Sequence, residues 1–331
     1  MDQSILISTD WHLKEDNVDL IKHLAIQKRN LAKKLGIKKL FILGDVFHNR
    51  ISQKQQVLSA LHTILVDIFY GYEVYIIPGN HDKTDYNLKE SFLDCFSAYK
   101  KVISNYEYLQ LGDVRFHFMP FFKENIWIEE FTPKLNNDCF NILLTHIAIT
   151  GSKNNDGSLV ESSLNAKMFE KFDLVLSGHY HNKQKIGENF YHIPSICQHN
   201  YGEDKEKGFT ILHNDNRIEL YKSTFPTYEK IIVNVDEKSK KEIDSIVEKY
   251  KDKDNCRIEL IGSESNINSI DKNKILSQGI DVKAKINEIE DTSIQGQITE
   301  KITDKRLKEE FKEFCEKEKL NFKEGLELLK N

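Results

Sequence analysis

Five short segments concentrate aspartate, histidine and asparagine: Asp10-Trp11-His12, Gly44-Asp45-Val46-Phe47-His48, Gly79-Asn80-His81-Asp82, Thr145-His146 and Gly178-His179-Tyr180-His181. Carboxylate oxygens, an amide oxygen and imidazole nitrogens together form a ligand set for Mn, Fe or Zn. No cysteine belongs to the set, which argues against a structural zinc site built on thiolates. In Asp10-x-His12 and His179-x-His181, residues i and i+2 of an extended chain point the same way, so each pair is expected to grip one side of a metal site. Glycines at 44, 79 and 178 permit tight turns and close approach of a ligand.

The elements that must position these residues are legible in the apolar pattern. Strands are expected at Ile5-Leu6-Ile7-Ser8, 39–43 and 73–77, and each runs into one of the first three segments. Helices are expected over 17–35, ending at Gly36, over 52–70 with Ser52 as N-cap, and over 88–101. Strands then dominate, at 114–118, 140–145, 172–177, 190–193, 208–213 and 217–222, with helical segments near 124–131 and 162–170. This order points to an α/β layered fold, in which ligands collect beyond the carboxyl ends of the strands. Read alone, each segment passes for a turn or a packed histidine. Five of them, each closing a β-type run, point to one shared site.

The composition changes after Phe225-Pro226. Strands at 229–235, 256–262 and 279–288 surround a charged helix at 238–250, the layout of a small separate lobe. Residues 291–303 are polar and linker-like, and 304–330 read as two short amphipathic helices. The net charge of −5 divides into −2 and −3 at Phe225, so neither part is a basic arm. Any hold on a phosphate backbone must come from local geometry or metal, not bulk charge. The five cysteines are scattered without a C-x-x-C pair, the N-terminus lacks a basic, apolar leader, and no run is long enough to cross a bilayer. A reduced, soluble, cytoplasmic protein with no membrane contact is expected.

The five segments match, in order, the D-x-H, G-D-x-x-[DH], G-N-H-[DE], single His and G-H-x-H motifs, and the chain thus resembles the calcineurin-like metallophosphoesterase superfamily. The resemblance implies a two-sheet sandwich flanked by helices and a site for two divalent metal ions, with Mn expected and Mg as an alternative. It assigns Asp10, His12, Asp45 and His181 to one metal, and Asn80, His146 and His179 to the second, with Asp45 bridging. It also makes His81 a non-ligand residue over the phosphate, which stabilises the transition state, protonates the leaving oxygen, or both. Asp82 is expected to orient His81 or a ligand histidine through a hydrogen bond.

The superfamily includes phosphatases, cyclic-nucleotide phosphodiesterases and nucleases. His48, where many phosphatases have Asp or Asn, resembles the nuclease of the double-strand-break repair complex and the SbcD component of bacterial SbcCD, as do Pro194-Ser195-Ile196, Tyr201-Gly202-Glu203 and Lys207-Gly208-Phe209. The length is that of phage-type recombination endonuclease subunits. This likeness implies a DNA exonuclease or endonuclease at residues 1–224, with catalytic roles for His48, His81 and Asp82. It further implies an α+β capping domain for DNA at 225–290 and a helical tail within 291–331 that docks on an SMC-like ATPase. In the tail, Leu307, Phe311 and Phe314 form an apolar stripe, repeated by Phe322, Leu326 and Leu329. A homodimer through helices 52–70 and 88–101 is also implied. The rival readings are a phosphatase or small-molecule phosphodiesterase on the same fold, and a non-catalytic scaffold. A scaffold is expected to have lost ligands, and none is missing here. Trp11 and Trp127 read as packing residues, and His23, His62, His117 and His213 as ordinary surface or core histidines.

Overall fold

The computed structural model describes residues 4–154, 157–251, 253 and 255–286. Along the first 222 residues run β1 (Ile5–Ser8), α1 (Val18–Lys34), β2 (Lys39–Leu43), α2 (Gln55–His62), β3 (Glu73–Ile77), β4 (Lys101–Val102), β5 (Glu107–Leu111), β6 (Val114–Met119), α3 (Glu124–Glu130), β7 (Phe140–Thr145), β8 (Leu174–Ser177), β9 (Gln184–Ile186), β10 (Phe190–His192), β11 (Gly208–Leu212) and β12 (Ile218–Lys222). They form two six-stranded sheets, ordered β12-β11-β1-β2-β3-β4 and β5-β6-β7-β8-β10-β9. In the first sheet β1 to β4 are parallel, and β11 returns antiparallel beside β1. In the second, β6, β7, β8 and β10 are parallel, with β5 and β9 as antiparallel edges.

Strand alternation divides the apolar residues between layers. Ile5, Ile7, Phe41, Leu43 and Ile77 fill the space between the sheets, against Phe116, Phe118, Ile142, Leu144, Leu174 and Leu176. Leu6, Leu40, Ile42, Val74 and Ile76 face the other way, onto Ile21, Leu24 and Leu31 of α1 and Val57 and Leu61 of α2. Leu143, Val175 and Phe190 pack outward on Trp127 of α3 and on Phe169. Both faces of the central strands are therefore covered, which is why they read as continuous apolar runs. The result is the α/β two-sheet sandwich flanked by helices that the motifs imply.

The helix at 17–35 is observed as α1, closed by Gly36 in the left-handed region at φ +68°. α2 begins after Lys54, not Ser52, and continues through Thr63–Ile68 as a π-helical segment. The expected helix at 88–101 is absent. In its place stands a 3-10 turn over Phe92–Phe96, and β4 has already begun at Lys101. Local side-chain bonds explain the difference. Ser91 Oγ accepts the Leu93 N–H at 3.2 Å, and the Asp94 carboxylate accepts the Ser91 N–H at 2.7 Å and the Ser104 hydroxyl at 2.8 Å. Such bonds offer the backbone an alternative to the helix. Leu93 and Phe96 are buried with Val57, Leu61 and Leu65 in one cluster under the first sheet. Val57, Leu61, Leu65, Leu93 and Phe96 thus belong to the chain's own core, and nothing among the described residues supports the homodimer through 52–70 and 88–101 that the resemblance implies.

Residues 229–286 build a third sheet of three parallel strands, β13 (Glu229–Asn234), β14 (Cys256–Gly262) and β15 (Asp281–Ile286). α4 (Lys240–Tyr250) connects the first pair, and two short helices missed in the sequence, α5 (Glu264–Asn268) and α6 (Lys272–Leu276), connect the second. α4 starts with a capping box in which the Glu242 carboxylate accepts the Ser239 N–H at 2.8 Å. This unit has its own core of Val233, Ile243, Val247, Ile258, Leu260, Ile267 and Ile275. The linker at 291–303 and the tail at 304–330 lie outside the described residues. Among the described residues no helix is long and apolar enough to cross a membrane.

Candidate metal centre

β1, β2, β3, β7 and β8 deliver Asp10, Asp45, Asn80, His146 and His179 to one edge of the sandwich. The local geometry differs from the extended pairing expected of Asp10-x-His12 and His179-x-His181. Asp10, His12, Asp45 and His179 all lie in the left-handed region, at φ 51°, 46°, 51° and 88°. Such a residue costs roughly 1–2 kcal/mol outside glycine, and persists where the surroundings over-determine it. Here they do. The turns after β1 and β2 are zipped together: Asp10 N–H donates to Gly44 O at 3.0 Å, Trp11 N–H to Asp45 O at 2.8 Å and Leu13 N–H to Val46 O at 2.8 Å. Behind them the buried Lys28 amine donates to Ser8 Oγ at 2.6 Å and Phe41 O at 3.0 Å, and Ser8 Oγ also accepts the Trp11 indole N–H at 3.1 Å.

Two of the glycines are required by close approach. At Gly44, φ +83°, a Cβ would sit 2.5 Å from His146 Nδ1. At Gly79 a Cβ would overlap both the carboxylate and the amide of Asp45.

The donors gather in two groups that share one carboxylate. Asp10, His12 and Asp45 form the first, and Asp45, His146 and His179 the second. His181 joins the first group, its Nε2 standing 3.0 Å from His12 Nε2 and 3.8 Å from Asp10 Oδ1. Asn80 joins the second, its Oδ1 at 2.9 Å from His179 Nδ1 and 3.3 Å from His146 Nε2. All seven residues that the motifs suggested as ligands are therefore brought together.

This arrangement fits cations. His146 Nδ1 bonds to Leu43 O at 2.7 Å, and His181 Nδ1 to Glu203 Oε1 at 2.7 Å, so each ring presents Nε2 to the donor cluster. Those nitrogens then face carboxylate and amide oxygens, which are acceptors as well, and a positive charge between them resolves the conflict. Burial works against a charge on His146, yet Asp45 and Asp10 raise its pKa to about 9. The same field that holds a proton there suits a metal ion. Burial would push Asp45 up, but His146, His12 and His81 hold it well below the usual carboxylate range. His12 Nδ1 is a buried nitrogen without a hydrogen-bond partner among the described residues.

His81 and His48 lie at the rim of the cluster. The rings of His12 and His81 meet edge to face at 4.6 Å, and those of His48 and His81 are stacked at 5.8 Å. His81 Nδ1 bonds to His48 O at 2.6 Å, and its Nε2 to the Arg50 guanidinium at 2.6 Å. Arginine can only donate, so Nε2 accepts and Nδ1 carries the proton. Arg50 also donates to the Tyr86 hydroxyl at 3.0 Å. Asp82 does not orient a histidine. Its buried carboxylate accepts N–H groups of Gly79 at 2.8 Å, Phe47 at 2.9 Å and Val46 at 3.3 Å, which fixes the Asp45 turn against the Asn80 turn. Burial and the neighbouring Asp45 push its pKa up to about 7.

Three supporting residues escaped the sequence reading: His199, Glu203 and His192. His199 packs against His12 and His181, with ring centroids at 4.8 and 4.9 Å, and its Nε2 donates to Asp10 O at 2.9 Å. Glu203 holds His181. His192 Nδ1 bonds to Gly178 O at 3.0 Å and its Nε2 to Ser152 Oγ at 2.9 Å, which anchors the last turn. None of the three has a motif spacing. Only the segment Tyr201-Gly202-Glu203 offered a signal. Loss of such a support weakens metal binding by about 10- to 100-fold. Glu203→Gln is therefore expected to lower Mn²⁺ affinity by that factor in a titration followed by electron paramagnetic resonance, with unchanged secondary structure.

The chain is 25% identical over 293 residues to the protein designated phosphoesterase 244L of Invertebrate iridescent virus 6, covering 82% of this chain and 98% of that one. It is 25% identical over 256 residues to the SbcD component of nuclease SbcCD from Staphylococcus epidermidis, covering 67% of this chain and 68% of that one. The solved structure of GAP50 from Plasmodium aligns with a TM-score of 0.42 at 16% identity, over 64% of this chain and 81% of that one. The family model for the calcineurin-like phosphoesterases matches residues 4–183, the stretch that contains all five donor segments, and the chain belongs to that family.

Proposed function

We propose that the chain is a two-metal-dependent DNA nuclease of the SbcD type, active in recombination, repair or replication inside the cell. The observation that carries this reading is the pair of donor groups joined by Asp45, next to His48 and His81. Family membership supports phosphoester hydrolysis, and the SbcD relative, a component of a nuclease, supports DNA as the substrate.

In this reading Asp10, His12, Asp45 and His181 hold one divalent cation, and Asp45, Asn80, His146 and His179 hold the other, with Mn²⁺ as the expected metal. Bound there, the cations would supply Lewis-acid polarisation of the phosphoryl oxygens and a water of lowered pKa. The chain's own residues do the rest. Asp45 is fixed by His81 N–H at 2.8 Å and by the turns on either side, so the donors are preorganised. The Arg50 guanidinium, held by His81 and Tyr86, faces developing negative charge on the phosphate. With its proton on Nδ1, His81 acts first by orienting Arg50. Asp82 secures the two turns. The unit around β13 to β15 serves as a capping domain for DNA, and the tail within 291–331 docks on an SMC-like ATPase, as the SbcD resemblance implies.

The test compares a linear DNA, a single-stranded oligonucleotide and 4-nitrophenyl phosphate as substrates, with Mn²⁺, Mg²⁺ or chelator. Mn²⁺-dependent DNA cleavage with little release from the monoester is expected. Efficient turnover of the monoester and none of DNA would favour the phosphatase reading, and no turnover of either would favour a scaffold.

A further inference from the structure

Beside the metal donors lies a cleft of about 540 Å³. Tyr86, Phe121 and Phe122 line one side, and Ile147 and Leu164 lie among its apolar walls. His179 belongs both to the lining of this cleft and to the donor cluster, so the cleft directly adjoins the donors. The Phe121 ring is stacked on His179 at 6.1 Å and 18°, and Tyr86 meets it edge-on at 5.1 Å.

The wall is built, not incidental. Phe121 N–H donates to Pro78 O at 2.9 Å, and Lys123 N–H to Tyr86 O at 2.9 Å, which joins the aromatic segment to the turn after β3. The Glu124 carboxylate accepts the Ser162 hydroxyl at 2.7 Å and the Ser163 N–H at 2.9 Å, and so ties the segment that carries Ser163 and Leu164 of the lining to α3. Lys123 and Asn125 stand exposed on the lining. A chain of contacts runs Arg50–Tyr86–Phe121–His179 and joins the arginine beside His81, through the aromatic wall, to one of the metal donors.

We infer that this cleft is a nucleobase subsite, which takes the base of the nucleotide whose phosphate lies at the donors. A nucleotide presents an anionic phosphate and, one sugar away, a flat ring with polar edges. The donors with Arg50 match the first, the Phe121–Tyr86 wall matches the ring face, and Asn125 and Lys123 match the polar edge. The base must leave its stack to enter, so substrates with an unpaired base at this position are favoured. The inference builds on the nuclease reading and specifies how its substrate is held.

Stacking on an aromatic side chain is worth about 5- to 150-fold in affinity per base. The test is calorimetric titration of the full chain in Mn²⁺ with 2′-deoxyadenosine 5′-monophosphate and with 2-deoxyribose 5-phosphate. The nucleotide is expected to bind at least about fivefold tighter, and Phe121→Ala is expected to bring the two affinities together. If that variant does not fold, Phe121→Leu keeps the bulk and removes the ring. Equal affinities in the unsubstituted chain, no binding of either ligand, or a preference that survives loss of the ring would each overturn the subsite. Cleavage of an oligonucleotide measured alongside separates the two claims. DNA cleavage without base preference overturns the subsite alone, and base preference without DNA cleavage overturns the nuclease reading alone.

Discussion

Asp45→Asn is expected to abolish the proposed phosphodiester hydrolysis while leaving a folded chain. Asp45 is the one residue common to both donor groups, and His12, His81 and His146 all lie within 4.0 Å of its carboxylate. Removing its charge weakens both cation sites at once. The transition-state stabilisation at stake is several kcal/mol, and about 4 kcal/mol corresponds to a thousandfold loss of rate. Asparagine suits the test because it tolerates the left-handed conformation that Asp45 adopts at φ 51°. Asp45→Ala lacks that tolerance and is expected to lose the same activity at an added stability cost of about 1 kcal/mol. Initial rates on a labelled oligonucleotide, with circular dichroism as the fold control, measure both. A variant that retains more than a tenth of the activity would rule out a shared carboxylate.

The second large effect is expected at Gly79, which neither ligates nor touches substrate in this account. Its φ of −93° suits any residue, so the constraint is space alone. An added Cβ overlaps the Asp45 carboxylate, which the His81 N–H holds, and the Asp45 backbone N–H, on a residue whose carbonyl is held by the Trp11 N–H. Gly79→Ala must therefore displace Asp45 or the turn that carries Asn80. The expected cost is about 1–3 kcal/mol of stability, with loss of most hydrolysis. Gly71→Ala is the control. It lies at φ +76° with open space around its Cβ position, so backbone strain should lower its melting temperature but leave the rate intact. Equal activity in the two variants would show that the close approach at Gly79 does not matter.

Much of this site was legible because the chemistry sits at strand ends. Buried strands such as β2 and β8 announce themselves as apolar runs, and the Asp, Asn and His residues that follow them stand out. What failed was anything decided by local hydrogen bonding. Ser91 and Asp94 turned an apparent helix into a 3-10 turn, and left-handed turns at Asp10 and His179 replaced the extended pairs that alternation suggested. The edge strand β5, with alternate residues exposed, lacked the apolar run that marked its neighbours. Arg50 and His199 were invisible for another reason. They act on residues distant in sequence, so only the folded chain reveals their partners.

The central claim is that this chain holds two cations through one shared aspartate. Counting bound Mn²⁺ per chain tests it most directly, by metal analysis of the full-length protein after equilibrium dialysis, for the unsubstituted chain and for Asp45→Asn. The account predicts two Mn²⁺ per unsubstituted chain, with loss of both on substitution at Asp45. A single ion per chain, or two ions retained without the Asp45 carboxylate, would contradict it.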